Sequence, residues 1–255
     1  MLIVSKFGGT SMASAESIRR IARILYASTH RSVAIVSAPG KIGARRKVTD
    51  LLLSGDTNEA IQRYRAIIAS LNLPKKAVHH VYEKLAMLEE HTHADALLSY
   101  GEYMSAYILA THIGWRFIDA CDVVFFHNTT VHVHRAWSSH EKVVIPGFYG
   151  YDLTAKRIRV FPRGGSDVSA AHIAAGIGAD LYENWTDVCG VYDVDPQKHT
   201  DAKRYEYLRY HELEHVARGG AQVFHPDAIF PAQNAGVPIV IKSTFAPHEA
   251  GTFVF

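Results

Sequence analysis

A short apolar run at the start of the chain, Leu2–Phe7, passes directly into Gly8-Gly9-Thr10-Ser11, beyond which the periodicity turns helical. Few architectures accept that order. A strand that stops at a glycine pair and re-enters a helix aims backbone N–H groups and a helix N-terminus at one point, which suits a phosphate. It also sets Lys6 at the carboxyl end of a strand, where open α/β sheets bind ligands. The run is not a Walker A loop, because Gly-x-x-x-x-Gly-Lys-Ser/Thr does not occur in the chain. A Gly-Gly pair is also an ordinary way to leave a strand.

The alternation continues along the chain. A helix is expected from Ser14 as N-cap, with Glu16 in its first turn and Ile18, Ile21, Ala22 and Leu25 on one face. Ser32–Ala38 reads as a buried strand, broken by Pro39-Gly40 and followed by a basic loop carrying Lys41, Arg45, Arg46 and Lys47. Residues 48–90 read as helices interrupted at Ser54-Gly55 and Leu73-Pro74, and Ala94–Ile113 as a further helix. Strands are expected at Arg116–Ala120, Val123–Phe126, Val143–Pro146 and Arg157–Phe161, with loop and edge structure over His127–His140. Gly147-Phe148-Tyr149-Gly150 reads as the end of the third of these. A turn at 162–167 precedes a small-residue helix at Val168–Gly176. Strand Leu181–Trp185, a loop from Thr186 to Asp195-Pro196, helices near His211–Arg218 and Asp227–Ala235, and strands Pro238–Lys242 and Thr252–Phe255 complete the pattern. Strands alternating with helices predict a three-layer αβα sandwich with a largely parallel central sheet, over one domain spanning 1–255.

Charge and cysteine content narrow the function classes. Lys+Arg 27 against Asp+Glu 25 leaves a net charge of +2, too little to recruit nucleic acid or an anionic membrane. The two cysteines, Cys121 and Cys189, are isolated, which points to a reduced cytosolic setting. The opening segment lacks the features of a signal peptide, and no stretch has the length of an apolar membrane span.

A second glycine pair repeats the logic of the first. Arg163-Gly164-Gly165-Ser166-Asp167 joins a strand to a helix, with Ser166 and Asp167 as candidate caps and a cation beside the glycines. Two such turns in one sheet can converge on one crevice. The plainer reading is a capped helix and a surface arginine. Glu102 sits among aromatics within a helix, Thr186-Asp187 follows a strand, and Ser37 and Thr49 bracket the basic loop. Each also has a routine structural explanation as an exposed acid, a turn or a cap.

These clusters, in this order, resemble the aspartate kinase (aspartokinase) family of the amino-acid-kinase superfamily. The matches are Lys-Phe-Gly-Gly-Thr-Ser at 6–11, Ser-Ala-Pro-Gly-Lys at 37–41, Val-Thr-Asp-Leu-Leu at 48–52 and Gly-Glu-x-Met-Ser at 101–105. Pro-Gly-Phe-Tyr-Gly at 146–150, Arg-Gly-Gly-Ser-Asp at 163–167, Trp-Thr-Asp-Val-x-Gly-Val-Tyr at 185–192, Asp-Pro at 195–196 and Pro-x-x-x-Gly-Thr at 247–252 follow. The resemblance covers essentially the whole chain. It implies transfer of the ATP γ-phosphoryl group to the side-chain carboxylate of L-aspartate, with Mg²⁺ held largely by ATP oxygens, in the cytoplasm. This is the first step of lysine, threonine and methionine biosynthesis. The nucleophile is already ionised at neutral pH, so no general base is required. The work is positioning and charge stabilisation.

The resemblance also implies roles. Lys6 would contact the transferring phosphoryl group, with Gly8, Gly9 and Thr10 cradling phosphates and Asp167 organising them. Arg163 would hold the α-carboxylate and Glu102 the α-ammonium, while Ser37, Thr49, Phe148 and Ser166 line the aspartate pocket. Thr186, Asp187 and Tyr192 would bind the nucleoside part of ATP. The aspartate side would lie mainly within residues 1–150 and the nucleotide side within 151–255, and a homodimer is compatible with the family.

Three departures stand out. Gln197 and Gln222 occupy positions near the phosphates that are basic in many members, and Pro162 replaces a common glycine. The losses at 197 and 222 motivate an alternative, a weakly active or inactive aspartokinase-like subunit that binds aspartate or nucleotide. A sibling kinase for another small acid is a third option. Family members usually continue into paired regulatory domains, whereas this sequence stops at Phe255, so insensitivity to lysine and threonine is expected. His211-Glu212-Leu213-Glu214-His215 matches H-E-x-x-H, but Arg218 and Ala221 stand where the extended zinc signature needs Gly and His. A solvated helix is the simpler account.

Overall fold

The structure, a computed structural model, describes residues 1–89, 93–162, 164–194, 196, 198–218 and 224–255. The chain opens with β1 (Ile3–Phe7), α1 (Ala15–Tyr26) and β2 (Arg31–Val36), then runs through four helices: α2 (Val48–Leu53), α3 (Thr57–Leu71), α4 (Lys75–Ala86) and α5 (Ala94–Ile113). Strands β3 (Arg116–Phe117), β4 (Val124–His127), β5 (Thr130–Val133), β6 (Val143–Pro146), β7 (Tyr149–Asp152) and β8 (Arg157–Val160) precede α6 (Gly165–Gly176). The last part holds β9 (Leu181–Thr186), β10 (Tyr207–Leu208), α7 (Tyr210–Arg218), α8 (Ile229–Asn234), β11 (Ile239–Ser243) and β12 (Thr252–Val254).

Strand alternation explains the layers. In β2, Ala34 and Val36 enter one apolar core while Val33 and Ile35 enter the other. In β1, Phe7 goes to the first core and Val4 to the second. Both faces are therefore covered, as a parallel sheet requires. Helices α1–α5 supply the first core, and α6 and α8 contribute to the second.

The central sheet has eight strands in the order β10-β12-β11-β9-β1-β2-β6-β3. Within it only the β11–β12 pair is antiparallel. β1 lies between β2 and β9, with Lys6 opposite Ile35 and Asn184. The N-cap of α1 is Ser14, whose hydroxyl accepts from the Ser17 amide.

Several expectations are corrected. Tyr149 and Gly150 do not end a strand but begin β7, part of a separate four-stranded sheet in the order β5-β4-β7-β8. Gly150 is there because a Cβ would lie 2.4 Å from the Val124 carbonyl oxygen of the neighbouring strand. The strand expected at Arg116–Ala120 stops at Phe117, before the short 3₁₀ turn Ala120–Asp122. Helix α6 starts at Gly165 instead of Val168, with left-handed Gly164 (φ 79°) as its N-cap and no side-chain cap bond from Ser166 or Asp167. The two glycine-pair turns thus leave different sheets, β1 from the large one and β8 from the small one.

Candidate active site

Two loops meet beyond the carboxyl end of β1, and their contact admits no side chain. The Gly40 amide donates to the Gly9 carbonyl at 2.7 Å, and a Cβ on Gly40 would lie 2.6 Å from both the Gly9 carbonyl carbon and the Thr10 nitrogen. This contact joins the turn after β1 to the loop after β2. A cleft of about 660 Å³ opens beside it. Its walls include Lys6, Gly9 and Thr10 from the first loop, Ser37 from the second, Thr49 from α2, Glu102 from α5, and Phe148, Ser166 and Asp167.

Lys6 Nζ forms an ion pair with Asp167 Oδ1, across from the central sheet to the first turn of α6. Their side chains are 8% and 16% exposed, so the pair is poorly screened. The Gly8 amide is bonded to Trp185 O at 3.0 Å, which fixes the turn against β9.

Glu102 is buried to 3% exposure. One of its carboxylate oxygens accepts from the Ala38 amide at 3.0 Å, while Oε2 has no hydrogen-bond partner among the described residues. Burial pushes its acid up to about 8, against the opposing pull of the Ala38 amide. The helix can bring Glu102 this close because residue 101 is glycine: a Cβ there would lie 2.8 Å from Ala38 Cβ. Tyr64 of α3 braces the same turn by donating its hydroxyl to Gly101 O at 2.5 Å.

Phe148 adopts a left-handed backbone (φ 75°), uncommon for an aromatic residue. It is held there by its amide bond to Ser169 Oγ at 2.9 Å and by the Phe161 amide on its carbonyl at 2.7 Å. Gly165 makes room for it, since a Cβ at 165 would lie 2.8 Å from the Phe148 ring.

The remaining candidate residues fall elsewhere. Thr186 and Asp187 follow β9 beside the first glycine turn. Asp187 accepts from Thr10 Oγ1 at 3.2 Å and from Thr186 Oγ1 at 3.1 Å. Tyr192 bridges to Arg204 in the next loop and does not line the cleft. Arg163, Gln197 and Gln222 lie outside the described residues. The H-E-x-x-H segment is on α7, where His211 and His215 are exposed, Glu212 accepts from the Arg209 amide and Glu214 pairs with Arg218. No group of three or more metal-ligating side chains occurs among the described residues.

Sequence reasoning did not single out Lys47 and Gly40 as site residues, although both line the cleft. The only signal for them is their position, flanking the basic loop between the Ser37 and Thr49 clusters.

A cation–carboxylate pair beyond the carboxyl ends of a parallel sheet, closed by glycine turns and facing a buried acid, places the cleft where open α/β proteins bind their ligands. The chain belongs to the amino acid kinase family, whose model matches residues 1–243. Within that family it is similar to aspartokinases. It is 32% identical over 286 residues to Aspartokinase 3 of Bacillus subtilis (strain 168), covering 98% of this chain and 63% of that protein. The aspartate kinase structure from Clostridium acetobutylicum superposes with a TM-score of 0.88 at 35% identity, over 99% of this chain and 63% of that one. Escherichia coli aspartokinase III in complex with aspartate and ADP gives 0.85 at 25% identity, over 100% and 64%. The chain thus spans a little under two thirds of these relatives.

Proposed function

We propose that residues 1–255 catalyse ATP-dependent phosphorylation of the side-chain carboxylate of L-aspartate, giving 4-phospho-L-aspartate for lysine, threonine and methionine biosynthesis. The observation that carries this reading is Glu102 Oε2, a buried carboxylate oxygen without a partner among the described residues, in a cleft that also holds the Lys6–Asp167 pair. Such an atom is costly unless a ligand cation completes it. An α-ammonium group supplies that cation, and the similarity to a kinase solved with aspartate and ADP supports the choice.

The chemistry follows from the walls. A β-carboxylate oxygen of the substrate attacks the γ-phosphorus, an O–P bond forms, and the bond to the β,γ-bridging oxygen breaks to release ADP. No proton moves. Lys6 stabilises charge on the phosphoryl group, and Asp167 fixes where its ammonium sits. Ser37, Thr49, Phe148 and Ser166 shape the aspartate pocket, with Arg163 as the partner of the α-carboxylate. Gly9 and Thr10 face the phosphates, and Thr186, Asp187 and Tyr192 the nucleoside. The aspartate side draws mainly on residues before 151 and the nucleoside contacts on those after, with Lys6, Gly9 and Thr10 reaching the phosphates from the first part. Mg²⁺, as the counter-ion of ATP, would be held largely by ATP oxygens and would supply charge neutralisation on the phosphates. Asp167 and Asp187, single carboxylates at this end of the sheet, fit that mode of binding.

No described helix is long and apolar enough to cross a membrane. The protein is proposed to act in the cytoplasm.

ADP release measured with Mg·ATP, with and without L-aspartate, tests the reading. Aspartate-dependent release is expected in the native chain, and a fall of about 10³-fold in Lys6→Ala. Equal rates under all conditions refute it. Binding of aspartate or nucleotide without turnover would instead mark an inactive aspartokinase-like subunit.

A further inference from the structure

Among the described residues that line the cleft, two are cations, Lys6 and Lys47, and Lys6 is already paired with Asp167. The Lys47 side chain is exposed, and its ammonium has no hydrogen-bond or ion-pair partner among the described residues. The neighbouring cation of the same loop, Arg46, is turned away: its guanidinium pairs with Asp56 at 2.5 Å and donates to Ser54 Oγ at 2.8 Å.

The loop that carries Lys47 is clamped from beneath by a buried cation. Arg63 of α3, only 4% exposed, donates to the Gly40 carbonyl at 2.8 Å, to the Ala13 carbonyl at 3.4 Å and to the Arg46 carbonyl. Burying a guanidinium without a carboxylate is unfavourable, and its pKa is accordingly lowered by burial. What it secures is the loop between 40 and 46, gripped at both ends by one side chain. A bond from the Val48 amide to Pro39 O at 2.9 Å closes the base. The residue after Arg46 is thereby presented at the rim of the cleft, in the same wall as Thr49.

We infer that Lys47 is a substrate-binding cation which engages a carboxylate of the acidic amino acid, and that Arg63 is the positioning residue that presents it. The inference rests on the kinase reading and deepens it. Lysine suits this place because its ammonium is a compact charge on a flexible stem, able to swing onto an anion entering from solvent. It gives the pocket a means to favour a dicarboxylate over its amide or over a neutral amino acid of the same size.

Steady-state kinetics on Lys47→Met, Lys47→Arg, Arg63→Met and Arg63→Lys, with aspartate and ATP varied separately, test this. Lys47→Met is expected to raise KM for aspartate by about ten-fold, the loss of one charge-assisted hydrogen bond, with a much smaller change in KM for ATP. Lys47→Arg should retain most of the affinity. Arg63→Met should show the same selective rise, and Arg63→Lys a partial rescue, because an ammonium reaches one end of the loop but not both. Lys47 lies on the surface, so its variants fold even if those at 63 do not. A KM for aspartate within two-fold of native in Lys47→Met overturns the inference, as does an equal rise for both substrates. Absence of aspartate-dependent ADP release in the native chain refutes the kinase reading and this inference with it. Native turnover with an unmoved Lys47→Met refutes this inference alone.

Discussion

Lys6 and Asp167 are 161 positions apart in the chain, yet their charged ends meet at the point where the central sheet faces the first turn of α6. The carboxylate fixes one conformer of a side chain that otherwise has many. Asp167→Asn keeps the shape and removes the charge. It should lower kcat for ADP release about 10²-fold, the scale of a small misplacement of a catalytic group, with a smaller effect on KM for aspartate. Unchanged kcat would show that the pair has no part in turnover.

The pKa of Glu102, raised by burial to about 8, means that the acid is mostly protonated at neutral pH before an ammonium group pairs with it. An ammonium ligand needs the carboxylate, so KM for aspartate should fall as pH rises from 7 through 8, and binding near pH 7 should release a proton. Calorimetry in two buffers of different ionisation enthalpy reads that proton directly, and Glu102→Gln should abolish it.

The same group makes a stability prediction of opposite direction. Its folded pKa lies above the reference value of 4.5, so the folded chain binds more protons than the unfolded chain between those two values. Its contribution to stability therefore declines as pH rises from about 4.5 to 8 and is level outside that window. Urea unfolding of the native chain and Glu102→Gln across this range should converge at low pH and separate at high pH, with the variant more stable.

Gly40→Ala tests the contact between the two loops. With a Cβ 2.6 Å from the backbone of Gly9 and Thr10, one loop must withdraw. A loss of about 1–3 kcal/mol in urea unfolding is expected, together with most of the activity.

Glu183 is expected to matter for stability alone. It is 3% exposed and accepts from Ser5 Oγ at 2.7 Å, from Trp185 Nε1 at 2.9 Å and from both Nε and Nη2 of Arg31, at 2.7 and 2.9 Å. Glu183→Ala leaves Arg31 without its carboxylate, at a cost of about 3–5 kcal/mol by chemical denaturation. KM for both substrates should hold at temperatures where the variant is folded.

Glu183 is also instructive about what a sequence conceals. The β1-α1-β2 unit was legible because strand and helix periods differ and because Ser14 stands where an N-cap must. Helix α5 was legible to its ends, Ala94 and Ile113, with Glu102 inside it. Glu183, by contrast, is one of three polar residues in β9, with Asn184 and Thr186, and its partners Ser5 and Arg31 come from β1 and β2. No local pattern reports them. The small sheet escaped for a related reason. Gly147-Phe148-Tyr149-Gly150 has the composition of a turn, but Gly150 answers to the Val124 carbonyl of another strand. Likewise Ser166 and Asp167 have the chemistry of helix caps, whereas the helix is opened by left-handed Gly164 and Asp167 pairs with Lys6. Of the residues that line the cleft, Lys6, Ser37, Thr49, Glu102, Phe148, Ser166 and Asp167 could be named from the chain, while Lys47 and Gly40 depend on how the basic loop folds back.

The left-handed backbone at Phe148 places a burden on the fold that glycine would lift, of the order of 1–2 kcal/mol. The protein gives up that much resistance to unfolding to keep a rigid aromatic wall in its cleft. Because the same ring packs against both apolar cores, glycine at 148 would forfeit more burial than the backbone relief returns, and laboratory selection for thermal tolerance should leave the aromatic in place.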